Sequence, residues 1–385
     1  MFSVKIVVSL TLITLTVYAC GGGTGSKEVG PAAEASVTSA TDLGVLENNS
    51  VIGSRFGGYS ADFGGYSVWL YGDSYLTKIN EDNYGLISNS WSYTTDLDAS
   101  NGITGFQEPM DNVGVPKQFI PLTYEEKTFN DLHNGENCTE APCNTRWAIW
   151  PGAIVIDSEK NWAYIFYGKT YIEPGDFNLK NVGQSIAVWK DFNDPPERPV
   201  FNRVNEHPTL IFEEADPAFG SAALVDDTDL YVYGCDTKES IKPCHLARVP
   251  IADVLNPDAW RYYASNDSWS SSLDDAQTVF DGNDVMSVFY SPYVNRYLAV
   301  YILPLINQTM LRTAPRPEGP WSKPVKVFKA MASISTTGWV NDVLVHPKYT
   351  ANDGQTIYIT YSRQIATFQS VVRLVAVEIE KTSNN

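Results

Sequence analysis

The stretch Gly57-Gly-Tyr-Ser-Ala-Asp-Phe-Gly-Gly-Tyr-Ser-Val-Trp-Leu-Tyr-Gly-Asp73 decides how the chain folds. It alternates apolar and polar residues, breaks at a turn, and resumes as a second strand ending in aromatics. That is the pattern of a β-hairpin. Four further stretches repeat it: Trp150–Tyr167, Phe219–Cys235, Val285–Tyr301 and Val340–Tyr361, the last turning through Asp353-Gly354. With Tyr71, Tyr167, Tyr233, Tyr301 and Tyr361 as equivalent marks, the hairpins recur at intervals of 96, 66, 68 and 60 residues. A four-stranded propeller blade takes roughly 40–50 residues plus loops. Five hairpins at this spacing predict an all-β chain folded as a five-bladed β-propeller, with residues 42–385 as its single domain. A β-sandwich, the rival architecture, does not predict like hairpins spread evenly along the chain. The long first interval holds an insertion with Glu108-Pro109 and the first cysteine pair. Helix is expected only in short pieces such as Ile251–Leu255.

The N-terminus predicts export. Lys5 precedes an uncharged run from Ile6 to Tyr18, followed by Ala19-Cys20. A basic residue, an apolar run of about a dozen and a small residue at the cut are the parts of a secretory signal. The run is shorter than the roughly twenty residues a bilayer span needs. Val17-Tyr18-Ala19-Cys20 resembles a lipobox, which predicts a signal peptide over residues 1–19 and lipidation of Cys20. Residues 20–41, rich in Gly, Ser, Ala and Thr, are expected to form a flexible tether. No Asp follows Cys20, so the expected location is the outer membrane or cell surface, facing periplasm or exterior. A chance cysteine after an ordinary signal is the alternative.

The chain has five cysteines, an odd number that in a secreted protein needs a reason. Cys138 with Cys143, and Cys235 with Cys244, are expected to form two short-range disulfides in an oxidising compartment. That leaves Cys20 for lipid. A zinc site on the four is disfavoured, because neither pair has Cys-x2-4-Cys spacing and no His lies at finger distance. Without the signal the chain carries 26 basic against 45 acidic residues, a net charge of −19. An acidic surface argues against nucleic acid and anionic lipid as partners. Membrane attachment is expected through the lipid alone, and the protein is expected to be a monomer. No metalloprotease, nucleophile-elbow, phosphate-loop or EF-hand motif is present. No metal and no cofactor are expected.

In a propeller the first strand of each blade begins on one face of the central channel, and the second returns to it. Residues at those strand ends should therefore converge. First-strand starts supply Arg55-Phe56, Trp150, Asp216, Asp284 and Asn341-Asp342; second-strand exits supply Asp73, Lys169 and Asp236. Glu108 could fold over the same mouth. Tryptophan faces stack on sugar rings, and paired carboxylates perform glycosidic acid–base chemistry. The catalytic candidates are Asp73, Glu108, Asp216 and Asp342; the substrate-binding candidates are Trp150, Arg55, His346 and Asp284. Each has a structural alternative. Asp73 and Asp216 suit turns, Asp284 suits a polar loop, Trp150 suits blade packing, and His346 suits a hydrogen-bonded core position.

Gly57-Gly-Tyr-Ser60 followed by Trp69-Leu-Tyr-Gly-Asp73 resembles the opening of the DUF4185 family of secreted proteins. Trp147-Ala-Ile-Trp-Pro-Gly152, Arg316-Pro-Glu-Gly-Pro-Trp321, and His346-Pro with Thr360-Tyr-Ser-Arg363 are similar to the same family, in the same order, over residues 50 to 378. The resemblance implies a glycoside-hydrolase-like five-bladed propeller related in architecture to arabinanases, some relatives cleaving D-arabinan. Relatives often carry Asp immediately before the Gly-Gly-Tyr-Ser segment, where this chain has Phe56.

Together these features predict a surface-anchored, carbohydrate-active propeller. The leading expectation is a glycoside hydrolase acting on a polysaccharide or oligosaccharide. Asp73 would supply one carboxylate; Glu108, Asp216 or Asp342 would supply the other. The alternatives are a non-catalytic propeller that binds glycan or protein, favoured by Phe56, and a purely structural envelope lipoprotein.

Overall fold

The computed structural model describes residues 30–382, apart from 134–137, 176–177, 237–241, 335–337 and 367–368. The stretch expected to be a signal peptide and Cys20 both lie outside the described residues. The chain opens with β1 (Ala35–Val45), and five sheets follow, four of them four-stranded and one six-stranded. Blade 1 is β2 (Ile52–Phe63), β3 (Tyr66–Leu76), β4 (Leu86–Ile87) and β5 (Ser90–Thr94), the last two both pairing with β3. After the helix α1 (Tyr124–His133), blade 2 is β6 (Arg146–Asp157), β7 (Trp162–Ile172), β8 (Leu179–Trp189) and β9 (Phe212–Glu213). Blade 3 is β10 (Ala218–Asp226), β11 (Asp229–Cys235), β12 (Lys242–Pro250), β13 (Arg261–Ala264), β14 (Ser268–Ser270) and β15 (Phe280–Gly282). Blade 4 is β16 (Met286–Ser291), β17 (Arg296–Leu303), β18 (Gln308–Ala314) and β19 (Val325–Lys329). Blade 5 is β20 (Val340–Val345), β21 (Thr356–Ala366) and β22 (Gln369–Lys381), completed on its outer edge by β1.

The five first strands β2, β6, β10, β16 and β20 each touch the next, and β20 touches β2, so the ring is closed. This is the five-bladed all-β propeller expected from the hairpin count. Local chemistry sets the hairpins. Asp157 Oδ1 accepts from the Glu159 and Lys160 N–H groups in the β6–β7 turn. Asp227 takes the left-handed φ of 56° that a two-residue β10–β11 turn requires.

No single core fills the molecule. Buried apolar side chains fall into five clusters, and each lies in the wedge between two neighbouring blades. Phe63, Trp91, Ile165 and Trp189 fill the wedge between blades 1 and 2. Trp69, Tyr71, Tyr349 and Tyr358 fill that between blades 5 and 1. Tryptophan and tyrosine suit these wedges because each covers a large area on both sheets.

Two expectations need correction. The domain begins near Gly30 rather than at 42, because β1 pairs with β22 from Ala35 onward, inside the stretch assigned to the tether. Its small residues, Ala-Ser-Val-Thr-Ser-Ala-Thr, carry no hydrophobic alternation because an outermost strand buries little. The chain also has the ten-residue α1, which the hydrophobic pattern does not announce. Its inward face is polar. Glu126, Asn130 and His133 are its buried residues. A capping box starts it: Glu126 N–H donates to Thr123 Oγ1, and Thr123 N–H donates to Glu126.

Both expected disulfides are formed. Cys138–Cys143 closes a loop after α1, and Cys235–Cys244 joins directly opposed residues of β11 and β12.

Candidate functional site

The mouth is the face where the five first strands begin. At its centre is Asp342, on the third residue of β20. A break in register between Asn341 and Leu344 puts Asp342 at a φ of 54°, unusual for a non-glycine residue inside a strand. This turns its carboxylate toward blade 1, where Oδ2 accepts from the Gly57 N–H at 3.0 Å. The same N–H reaches Ser362 Oγ at 3.1 Å. Burial pushes the Asp342 carboxyl up to about 6, against the pull of Ser362 and Gly57, and the nearby Asp284 charge pushes the same way.

Asp284 stands immediately before β16, ion-paired with Lys242 at 2.5 Å and with its side chain one-third exposed. Asp73 stands where β3 leaves the channel. Its carboxylate accepts from Arg146 at 2.6 Å and from the Trp150 indole N–H at 2.8 Å. Arg146 and Trp150 both lie on β6, so this acid links the first two blades. Tyr75, two residues further along β3, is raised to about 12 by burial and the Asp73 charge. Asp342, Asp284 and Asp73 thus come from three blades and sit in different environments: one buried, one paired to lysine, one held by arginine and tryptophan.

The other candidates are committed elsewhere. Glu108 does not fold over the mouth. It is buried against Arg55 Nη1 at 3.2 Å, whose guanidinium lies 3.6 Å from the Tyr71 ring centroid. Ser370 of β22 donates to the Arg55 carbonyl, which places this pair in the seam between blades 5 and 1. Burial raises the Glu108 carboxyl even beside Arg55. Removing one partner of such a pair strands a buried charge. We expect Arg55→Ala to cost about 3–5 kcal/mol and Arg55→Met with Glu108→Leu to recover most of that loss, measured by urea unfolding.

Asp216 closes its own turn by accepting from the Glu213 N–H at 2.8 Å. His346 is a core histidine. Its Nδ1 bonds Ser60 Oγ at 2.7 Å, its Nε2 bonds Thr360 Oγ1 at 2.8 Å, and its ring stacks on Trp69 at 4.1 Å. Burial lowers it from 6.5 to about 3. The unfolded chain therefore binds this proton first. The stability owed to neutral His346 is whole above pH 6.5 and drains as pH falls toward 3, at up to about 1.4 kcal/mol per pH unit. We expect His346→Gln to lose less stability than the native chain between pH 6.5 and about 4, read from urea midpoints.

Sequence reasoning missed Arg146, because β6 starts four residues earlier than the Trp150 strand start assigned to it. It also missed Lys242 and Ser362, for which strand-end arithmetic offers no signal. Behind the mouth the channel continues into a cavity of about 270 Å³ at the far half of the first strands. Ala153, Ala222, Met286, Val288 and Leu344 line it, with Tyr59 on its wall. Among the described residues no three His, Cys, Asp or Glu side chains converge as a metal site would.

The architecture is shared with solved structures. A Bacteroides ovatus protein provisionally described as a hydrolase aligns at 15% identity and a TM-score of 0.54, covering 86% of each chain. Zg3597, a family 117 glycoside hydrolase of Zobellia galactanivorans, aligns at 12% identity and a TM-score of 0.50, covering 90% of this chain and 91% of its own. At these identities the likeness speaks for the fold. No curated protein matches the chain. The sequence profile of DUF4185, a domain of unknown function, matches residues 32–372, nearly the whole propeller, and the chain therefore belongs to the DUF4185 family.

Proposed function

We propose that the mouth is a glycan-hydrolysing site. Asp342 protonates the glycosidic oxygen, and Asp73, held by a cation on the neighbouring blade, acts on the anomeric carbon, directly or through a water. The observation that carries this is the environment of Asp342. A carboxyl raised to about 6 keeps a proton near neutrality, as a general acid must. Asp284 adds negative charge that holds the proton on. Trp150, half-buried and oriented by Asp73, offers a ring face to a sugar. The fold it shares with the Zobellia galactanivorans glycoside hydrolase is compatible with such a site.

The test uses purified residues 30–385 with arabinans, galactans and other glycans, scored by new reducing ends. Cleavage is expected with the native chain and lost with Asp342→Asn or Asp73→Asn. In Asp284→Asn the alkaline limb of the rate should move to lower pH. Cleavage that survives Asp342→Asn sinks the assignment. A second reading, binding without cleavage, is favoured by Phe56 and by the Gly57 N–H already bonded to Asp342. Retention of glycan with no reducing ends across the panel would support it.

We also propose that the chain is a lipoprotein attached through Cys20. The lipobox-like Val17-Tyr18-Ala19-Cys20 and the two disulfides support it. Ala35 pairs with Lys381 at the far end of blade 5, opposite the end where Asp342 lies, so the attachment would leave the mouth unobstructed. Metabolic labelling with a radioactive fatty acid should mark the native chain and not Cys20→Ala.

A further inference from the structure

The Gly57-Gly-Tyr-Ser60 segment has a task of its own. Gly57 has a φ of 95° and Gly58 a φ of 131°, both in the region that favours glycine, and the β2–β3 register breaks on either side of Gly57. A Cβ on Gly58 would also sit 3.6 Å from Trp69 and 3.8 Å from Thr360 Oγ1. The double bulge has two results. It frees the Gly57 N–H from the ladder to reach Asp342. It also sends the next side chain, Tyr59, across the channel, where it packs against the inner ends of the wedges on either side of blade 2. The Tyr59 hydroxyl donates to the Ser221 carbonyl of β10 at 3.0 Å. One side chain from blade 1 is thereby fastened across the channel to blade 3. Ser60 then returns to the wall, against His346.

Tyr59 has carboxylates on one side and a chamber on the other. Asp342 bonds the N–H of Gly57, two residues nearer the mouth, and Asp342 and Asp284 both raise the Tyr59 phenol electrostatically. On the far side it lines the 270 Å³ cavity. We infer that Tyr59 is a plug that bars the central channel, separating the mouth carboxylates from the chamber behind, and so is a positioning residue for Asp342. Its catalytic consequence rests on the reading of Asp342 as the acid; the plug itself does not.

The physical link is solvation. A carboxyl loses its proton more readily when water reaches it. The titratable groups acting on Asp342 from neighbouring elements are Asp284, ahead of β16, and Tyr59 on β2; Ser362 on β21 and the Gly57 N–H are its neutral partners. Shortening Tyr59 would join the chamber to the mouth and let water reach Asp342 from behind. Tyr59→Phe loses the hydroxyl bond to Ser221 but keeps the ring that fills the channel.

The experiment reads Asp342 titration without relying on activity. Thermal midpoints from pH 4 to pH 8 are compared between each Tyr59 background and the same background with Asp342→Asn. The two curves part above the unfolded value of 3.8, and the pH at which their divergence is complete reports the folded Asp342 proton. In the native and Tyr59→Phe backgrounds it is expected near 6. In Tyr59→Ala it is expected about one pH unit lower or more. Should Tyr59→Ala fail to fold, Tyr59→Leu, which keeps apolar bulk but not the reach, must show the same direction. The inference is overturned if the shortened side chain leaves the divergence unmoved, or if Tyr59→Phe moves it as far. If the divergence moves but no glycan is cleaved, the plug stands and the hydrolase reading falls. If glycan is cleaved and the divergence stays fixed, the plug falls alone.

Discussion

Asp342→Asn should abolish cleavage and, at the same time, make the folded protein harder to unfold at alkaline pH. Loss of a general acid removes about 10²–10⁴-fold in rate. The stability effect follows from linkage. The folded carboxyl holds its proton to about pH 6, whereas the unfolded one releases it near 3.8. Stability therefore rises as pH falls from 6 to 3.8 and is lost as pH climbs back through that window. Above pH 6 the native chain must keep an ionised carboxylate in a buried position, a cost of about 3 kcal/mol at most. Asparagine carries no charge, and its amide oxygen can still accept from Gly57. In urea titrations the variant should be the more stable at pH 8, with the gap closing toward pH 4. His346 acts with opposite sign in the same range, so the two offset each other, and Asp342→Asn should steepen the acid limb. A variant no more stable than the native chain at pH 8 would refute the buried, proton-holding state.

Deleting residues 1–45 should remove the cooperative thermal transition. The deletion takes away nine register positions on β22, including those of Ala35 and Val37, which pack against the wedge between blades 4 and 5. It also removes Asp42, which Arg373 grips through Nε at 3.0 Å and Nη2 at 2.7 Å. Together these are worth at least about 5 kcal/mol, comparable with the whole stability of many domains. A deletion of residues 1–41, which follows the boundary that composition suggests, should fail in the same way. Deletion of 1–29 should melt like the unlipidated full chain. Calorimetry on the three truncations separates these outcomes; a 1–41 deletion that melts like the 1–29 deletion would remove β1 from the closure of the ring.

The five hairpins were legible because the inner strands of each blade are packed on both sides and therefore strongly apolar, as in Val68–Tyr71 and Ala163–Tyr167. Outer strands such as β1, β13 and β14 bury little and left no pattern. The polar inner face of α1, with Glu126 gripped by Lys169 at 2.6 Å and by Arg198, hid the helix for the opposite reason: burial there rests on charge pairing instead of apolar contact. Strand-end arithmetic brought Asp73, Trp150, Asp284 and Asp342 to one face. It could not tell which way a side chain turns. Glu108 and Asp216 stand in sequence that reads much like that around Asp73, yet one points into a blade seam and the other into its own backbone. Tyr59 was hidden because its direction depends on two glycine φ angles that no alternation pattern records.

The closing strand also sets a waiting time. Thr38 of β1 donates to the Glu378 carbonyl, 340 residues downstream. At about 5–20 residues per second, the ribosome delivers that partner roughly twenty seconds to a minute after β1 has emerged. Until then β1 is an unpaired strand, the kind of segment that recruits wrong neighbours. Valine- and isoleucine-rich sequence would be hazardous in that interval. Ala-Ser-Val-Thr-Ser-Ala-Thr is not. The composition that disguises β1 as a linker suits it to remain single until the last strand of the protein is made.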